Sequence, residues 1–165
     1  MKIHIIGCSG TGKSYLAEGL AKKYSIDHYD LDDLMWDTAA DTYGVRMDKE
    51  KRNKLLQEIV NKDNWVIEGV YYGWVHESFK RADRIYVLEI PKHVYKYRVI
   101  KRFIKRKLGL QNGKKETFKS LRDLLKWTDD FQNMNMKEIK QILEQYKDKV
   151  YYIKSSREVQ MILNK

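Results

Sequence analysis

A chain of 165 residues, 42% of them hydrophobic, is long enough for one packed core and too short for two ordinary domains, so one unit over 1–165 is expected. Its one cysteine, Cys8, excludes an internal disulfide and a thiol-based zinc site; with no signal-like leader and no run of 18 apolar residues, a cytoplasmic protein without a membrane partner is expected. A formal net charge of +10 points to polyanionic partners, but charge alone does not choose among nucleotide phosphates, nucleic acid and an acidic surface.

The first apolar run, Ile3 to Ile6, reads as a strand, and Lys13 to Tyr24 carries helical periodicity. Between them stands Gly7-Cys8-Ser9-Gly10-Thr11-Gly12-Lys13-Ser14, a match to G-x-x-x-x-G-K-[ST] in the strand-then-helix setting that a phosphate-binding P-loop requires. Its glycines let backbone N–H groups of the loop, Ser9 and Thr11 included, turn inward around phosphates. The following helix adds its positive end, and Lys13 adds a point charge. Ser14 is the expected magnesium ligand, and the expected ligand is a nucleoside triphosphate, ATP with Mg2+.

A strand at Ile26 to Tyr29 leads into Tyr29-Asp30-Leu31-Asp32-Asp33-Leu34, and a helix is expected from about Met47 to Asn61. Asp30 or Asp33 could cap a short helix after the strand, a reading that stands beside a catalytic one. Trp65 to Ile67 is the next strand, followed by Glu68-Gly69 and a short helix near Trp74 to Phe79. Ile85 to Leu88 is a fourth strand, with Pro91 after it and a helix from Lys92 to Leu108. Gly109 to Lys115, GLQNGKK, has loop composition and is the expected mobile lid. Helices at Lys119 to Phe131 and Met136 to Lys147, a strand at Val150 to Ile153 and a helix at Ser155 to Leu163 complete the chain. Strands alternating with helices predict a parallel sheet covered on both faces.

The surroundings of the P-loop narrow its class. Asn61-Lys62-Asp63-Asn64 lacks the final aspartate of a guanine-recognition N-K-x-D, and Asp41-Thr42-Tyr43-Gly44 does not follow an apolar strand, so a GTPase is not expected. There is no L-S-G-G-Q signature, and the chain is too small for most motor or helicase cores. A small P-loop kinase remains.

The order of the P-loop, the Asp30-Leu31-Asp32-Asp33-Leu34 segment, Trp65-Val66-Ile67-Glu68-Gly69, and Ile90-Pro91 followed by Arg98 and Arg102 resembles the adenylate kinase and shikimate kinase group. Within it, the pattern is most similar to the bacterial DNA topology modulation protein family. The resemblance covers nearly the whole chain and implies a three-layer α/β fold with five parallel strands in the order 2-3-1-4-5.

It further implies transfer of the ATP γ-phosphoryl group to a nucleotide or small-metabolite acceptor. Asp30 and Asp32 match the aspartates after the second strand, one near magnesium and one at the acceptor hydroxyl; Glu68 matches the acid that binds magnesium through water. Arg98 and Arg102 match an arginine pair four apart, one near adenine and one on the phosphates, against the alternative of a solvated basic helix face. The implied catalytic set is Lys13, Asp32 and Arg102, and the implied metal set is Ser14, Asp30 and Glu68. Two departures stand out: Val70-Tyr71-Tyr72 and Leu34-Met35-Trp36 replace acceptor-gripping arginines. Tyr71, Tyr72, Trp74 and Trp36 are candidates for an aromatic acceptor pocket or for core. The other reading, a nucleotide-dependent regulatory or DNA-binding protein without a small-molecule acceptor, is suggested by the resemblance to the topology modulation family and draws on the basic Lys92 to Lys126 stretch, in which Glu116 and Asp123 are the only acids and Phe103 and Phe118 are interleaved. Trp127 follows directly.

Overall fold

The structure is a computed structural model and describes residues 1–37, 44–110 and 117–164. Five strands, β1 (Lys2–Gly7), β2 (His28–Asp30), β3 (Trp65–Gly69), β4 (Arg84–Leu88) and β5 (Val150–Ile153), form one sheet in the order β2-β3-β1-β4-β5. Every neighbouring pair is parallel, which is the order and sense expected. Placing β1 in the centre puts the P-loop at the middle of the sheet's C-terminal edge, flanked by the ends of β3 and β4. Ligands of open α/β sheets bind at such an edge, where connections leave in opposite directions.

Successive strand residues point to opposite faces, and the core divides accordingly. Ile3 and Ile5 of β1, Val66 of β3 and Tyr86 and Leu88 of β4 meet Leu16, Ala17 and Leu20 of α1 (Lys13–Tyr24) and Val159 of α8 (Ser156–Asn164). Ile6, Trp65, Ile67, Ile85 and Val87 face the other way, onto a second core. That core takes residues from α2 (Leu31–Met35), α3 (Lys49–Val60), α4 (His76–Arg81) and α7 (Met136–Leu143). Two further helices, α5 (Lys92–Lys107) and α6 (Phe118–Asp130), pack against each other through Phe103 and Phe118, ring centroids 5.2 Å apart.

Several boundaries differ from those expected, among them the end of the helix expected over Met136 to Lys147, which gives way to a 3-10 turn after Leu143. The second strand pairs only at His28–Asp30, because Ile26 leaves α1 through an N–H bond to the Ala21 carbonyl after Ser25 adopts a left-handed conformation. The helix near Trp74 begins at His76 rather than Trp74. The helices on either side of residue 131 are joined by a π-turn, Phe131–Asn135, that keeps Phe131 buried while continuing the helical path. The expected lid falls mostly on 111–116, which lie outside the described residues, as do 38–43.

Candidate phosphate and acceptor site

The P-loop owes its shape to backbone that other residues would not tolerate. Gly10 has φ +81°, and a Cβ there would lie 2.7 Å from the Tyr95 carbonyl; Gly12 has φ +99° and is the N-cap of α1, with no side chain hydrogen-bonded to the helix end. A bare, positive helix N-terminus therefore faces outward. Gly7 ends β1, where a Cβ would come within 2.9 Å of the Leu88 carbonyl. Inside the turn, Thr11 is buried and donates from its hydroxyl to the Cys8 carbonyl at 2.7 Å. Cys8 is itself buried, its thiol 3.8 Å from the Thr128 carbonyl and its pKa pushed up to about 11 by burial, so it fills space and is no nucleophile.

Lys13 is 9% exposed, donating to the Cys8 carbonyl at 3.2 Å with its Nζ 3.9 Å from Glu68 Oε2. Ser14 donates to Glu68 Oε1 at 2.6 Å. Glu68, almost fully buried near the end of β3, thus meets the lysine and the serine of the P-loop together. These groups open into a cleft of about 860 Å³, whose lining includes Ser9, Gly10 and Gly12 of the loop, and Asp30, Asp32, Arg102 and Arg106.

The two aspartates do different things. Asp30 caps α2, accepting from the Asp32 N–H at 2.9 Å, which settles which acid is the cap. Burial, and then the Glu68 carboxylate, push the Asp30 carboxyl up to about 6. Asp32 stands exposed on the first turn of α2, accepting a hydrogen bond from Tyr71 Oη at 2.7 Å. Burial and this carboxylate hold the Tyr71 phenol well above its usual pKa, so it remains a donor.

The arginine pair separates. Arg102 lines the cleft, whereas Arg98 donates from Nη1 to the Gly10 and Thr11 carbonyls at 3.4 and 3.2 Å and from Nη2 to Ser156 Oγ at 2.7 Å. Arg98 borders a smaller cavity of about 280 Å³, shared with Thr11, Gly12, Tyr15, Ser156, Val159 and Gln160. Of the four aromatics expected at an acceptor pocket, Trp36 and Tyr71 line the cleft. Trp74 instead sits beneath the Arg52 guanidinium at 4.3 Å, and Tyr72 donates to Glu138 Oε2 at 2.8 Å and accepts from Asn135 Nδ2 at 3.1 Å. The sequence reading did not single out Tyr15, Ser156 or Gln160, which reach the site from helices far apart in the chain, and in it Asp123 and Trp127 of α6 stand as part of a basic stretch and its aromatics, not as lining of this cleft with Leu124.

Among the described residues no cluster of three or more His, Cys, Asp or Glu could hold a metal ion by itself. The donors present, one hydroxyl and carboxylates beside an anion-binding helix end, suit a hydrated magnesium that takes its remaining ligands from phosphate and water. No described helix is long and apolar enough to cross a membrane.

A parallel sheet in this order, with a glycine loop and lysine between its central strand and first helix, defines a P-loop domain of the kinase-like type. The chain belongs to the AAA domain family, whose model matches residues 3–119. It is 28% identical over 137 residues to the uncharacterized protein YqaC of Bacillus subtilis strain 168, covering 81% of this chain and 74% of that one. Among solved structures it is similar to shikimate kinase from Acinetobacter baumannii in complex with shikimate, with a TM-score of 0.53 and 21% identity over 98% of this chain and 90% of that one. Shikimate kinase from Bacteroides thetaiotaomicron gives 0.54 and 17% over 99% and 94%. At these identities the likeness concerns the fold, and it agrees with the P-loop kinase resemblance read from the sequence.

Proposed function

We propose that the chain is an ATP-dependent phosphotransferase that moves the γ-phosphoryl group to a hydroxyl of a small acceptor. The observation that carries this reading is one cleft shared by the P-loop groups Lys13 and Ser14, the exposed carboxylate of Asp32 and the Arg102 guanidinium. A bare helix end and inward N–H groups suit a triphosphate, and Lys13 suits its β and γ oxygens. Magnesium, when bound, neutralises phosphate charge; Ser14 would hold it directly, and Asp30 and Glu68 through water. Arg102 supplies a planar fork for the transferring group. Asp32 accepts the proton of the acceptor hydroxyl, and the smaller cavity beside Arg98 and Ser156 has room for the nucleobase. The test is phosphorus NMR of the full chain with ATP, magnesium and a panel of hydroxyl compounds: a new phosphate-ester signal rising with ADP is expected, and tight ATP binding without any transfer would refute the reading.

A second reading, nucleic-acid binding, is favoured by the outer face of α5, where Lys101, Lys105 and Lys107 are exposed together with Tyr97, and by Phe118, 71% exposed, at the start of α6. A gel shift separates the two, because binding through several phosphates weakens steeply between about 50 and 200 mM salt.

A further inference from the structure

The lining of the large cleft carries four carboxylates, Asp30, Asp32, Glu68 and Asp123, against three cations, Lys13, Arg102 and Arg106. A triphosphate seated on the P-loop with its magnesium would engage those cations and, through the metal, Asp30 and Glu68, and would bring negative charge of its own, leaving Asp32 and Asp123 as the charged groups of the rest of the cleft. Its remaining described walls are aromatic or apolar: Trp36 after α2, Val70 and Tyr71 after β3, and Leu124 and Trp127 of α6. Two arginines lie close in the fold but outside that lining. Arg46 pairs its backbone with Trp36, and Arg52 covers the Trp74 ring. The carboxylate placed to meet an acceptor, Asp32, already accepts from a neutral phenolic hydroxyl at 2.7 Å.

We infer that this cleft takes as acceptor an uncharged or cationic alcohol with a flat ring, and disfavours one carrying a phosphate or carboxylate. The inference rests on the phosphotransfer reading of the same cleft and names its substrate class. An anionic acceptor would meet like charge from the cleft's aspartates with no described cation left to balance it. A flat ring gains from stacking on tryptophan and tyrosine, and a cationic group gains further from their ring faces. The acceptor hydroxyl takes the place of the Tyr71 hydroxyl on Asp32 and gives that carboxylate its proton. Its oxygen forms a bond to the γ-phosphorus while the bond from that phosphorus to the β,γ-bridging oxygen breaks. ADP departs with the electron pair, and Asp32 releases the proton to solvent.

The experiment offers matched pairs to the full chain saturated with ATP and magnesium: each common nucleoside against its 3′-monophosphate, which keeps the 5′-hydroxyl, and 1-phenylpropan-2-ol against phenyllactate, which keeps the secondary hydroxyl. The neutral member of each pair is expected to release ADP about tenfold faster or more, as like-charge repulsion in a partly enclosed site predicts. Equal rates, or faster release with the anionic members, would overturn the inference. A second measurement needs no turnover. In a Trp74→Phe background, Trp36 and Trp127 are the indoles open to solvent, Trp65 being fully buried. In the ATP-loaded protein, with each ion's quenching divided by its effect on free N-acetyltryptophanamide, caesium should quench their fluorescence more than iodide, and an equal or larger relative effect of iodide overturns the charge preference. ATP binding without ADP release from any compound refutes the phosphotransferase reading instead, and the quenching ratio still decides the charge preference of the cleft.

Discussion

At the scale of single residues, the division of labour between Asp30 and Asp32 allows a clean substitution. Because Asp30 is the cap of α2, replacing Asp32 by asparagine leaves the helix end satisfied and removes only a charge. Asp32→Asn is therefore expected to lower phosphoryl transfer by ~100-fold or more, the usual scale of a general base, with ATP affinity and melting temperature near those of the parent. Transfer at the parental rate, measured beside calorimetry and thermal unfolding, would remove Asp32 from the mechanism. His4 offers a prediction remote from the site. It is fully buried on β1 with Nδ1 2.8 Å from Ser78 Oγ, and since Ser78 donates to the Val75 carbonyl, the imidazole is the donor there. Burial lowers its pKa to about 3. An unfolded chain protonates this ring below its ordinary value near 6.5 while the folded chain keeps it neutral. The stability it contributes is thus complete above that value and is lost progressively as pH falls toward 3. Urea unfolding at neutral and mildly acidic pH should show the parent losing more stability on acidification than His4→Gln, and parallel losses would contradict the assignment.

Among the elements, the strand–loop–helix unit of β1 and α1 is held by close backbone approach more than by side-chain bonds. Gly10→Ala demands a left-handed alanine and drives its Cβ into the Tyr95 carbonyl, itself on α5, so the substitution strains the loop against the helix that carries both arginines. A loss of ~1–3 kcal/mol in chemical unfolding is expected, together with weakened ATP binding. Gly73→Ala is the control: a Cβ there meets no heavy atom within 4 Å, and it should change stability by no more than ~0.5 kcal/mol.

For the molecule as a whole, the last helix ties the two ends of the chain together. Val159 of α8 is buried in the core that α1 shares, Leu163 packs so closely on Gly19 that a Cβ there would come within 2.5 Å of it, and Lys23 donates to the Ile162 and Leu163 carbonyls. A chain ending at Lys154 should melt several degrees lower, since ~1 kcal/mol moves the midpoint of a domain this size by a few degrees. It should also bind ATP more weakly, having lost Ser156, which anchors Arg98, and Gln160 from the smaller cavity. Unchanged affinity by calorimetry would separate that cavity from the nucleotide. Much of this architecture was legible in the sequence, because apolar runs such as Ile3 to Ile6 and Ile85 to Leu88 and the P-loop spacing are local signals. The strand order came from resemblance, since periodicity carries no information about which strands pair. That Arg98 and Arg102 divide between two places was implied by the resemblance, but the contacts that hold Arg98 apart were not legible: a spacing of four places both on one helix face, and the Gly10 and Thr11 carbonyls with Ser156 of α8 draw the first away. Trp127 reads as an aromatic beside the basic stretch, and its place in the cleft was not legible because it depends on how α6 packs; nor was the π-turn beside it, in which Phe131 is buried.

The hydrogen bond from Tyr71 to Asp32 has a bearing on idling. A carboxylate able to take a proton from an alcohol is equally able to take one from water, and a loaded phosphotransferase that did so would run down its ATP with nothing to show for it. Tyr71 occupies one Asp32 oxygen with a proton it does not give up, so that oxygen is withheld from stray solvent until a guest hydroxyl competes for it. Tyr71→Phe should accordingly raise ADP release in the absence of any acceptor, read in a coupled assay. A leak no greater than that of the parent would mean that the phenol merely braces the aspartate.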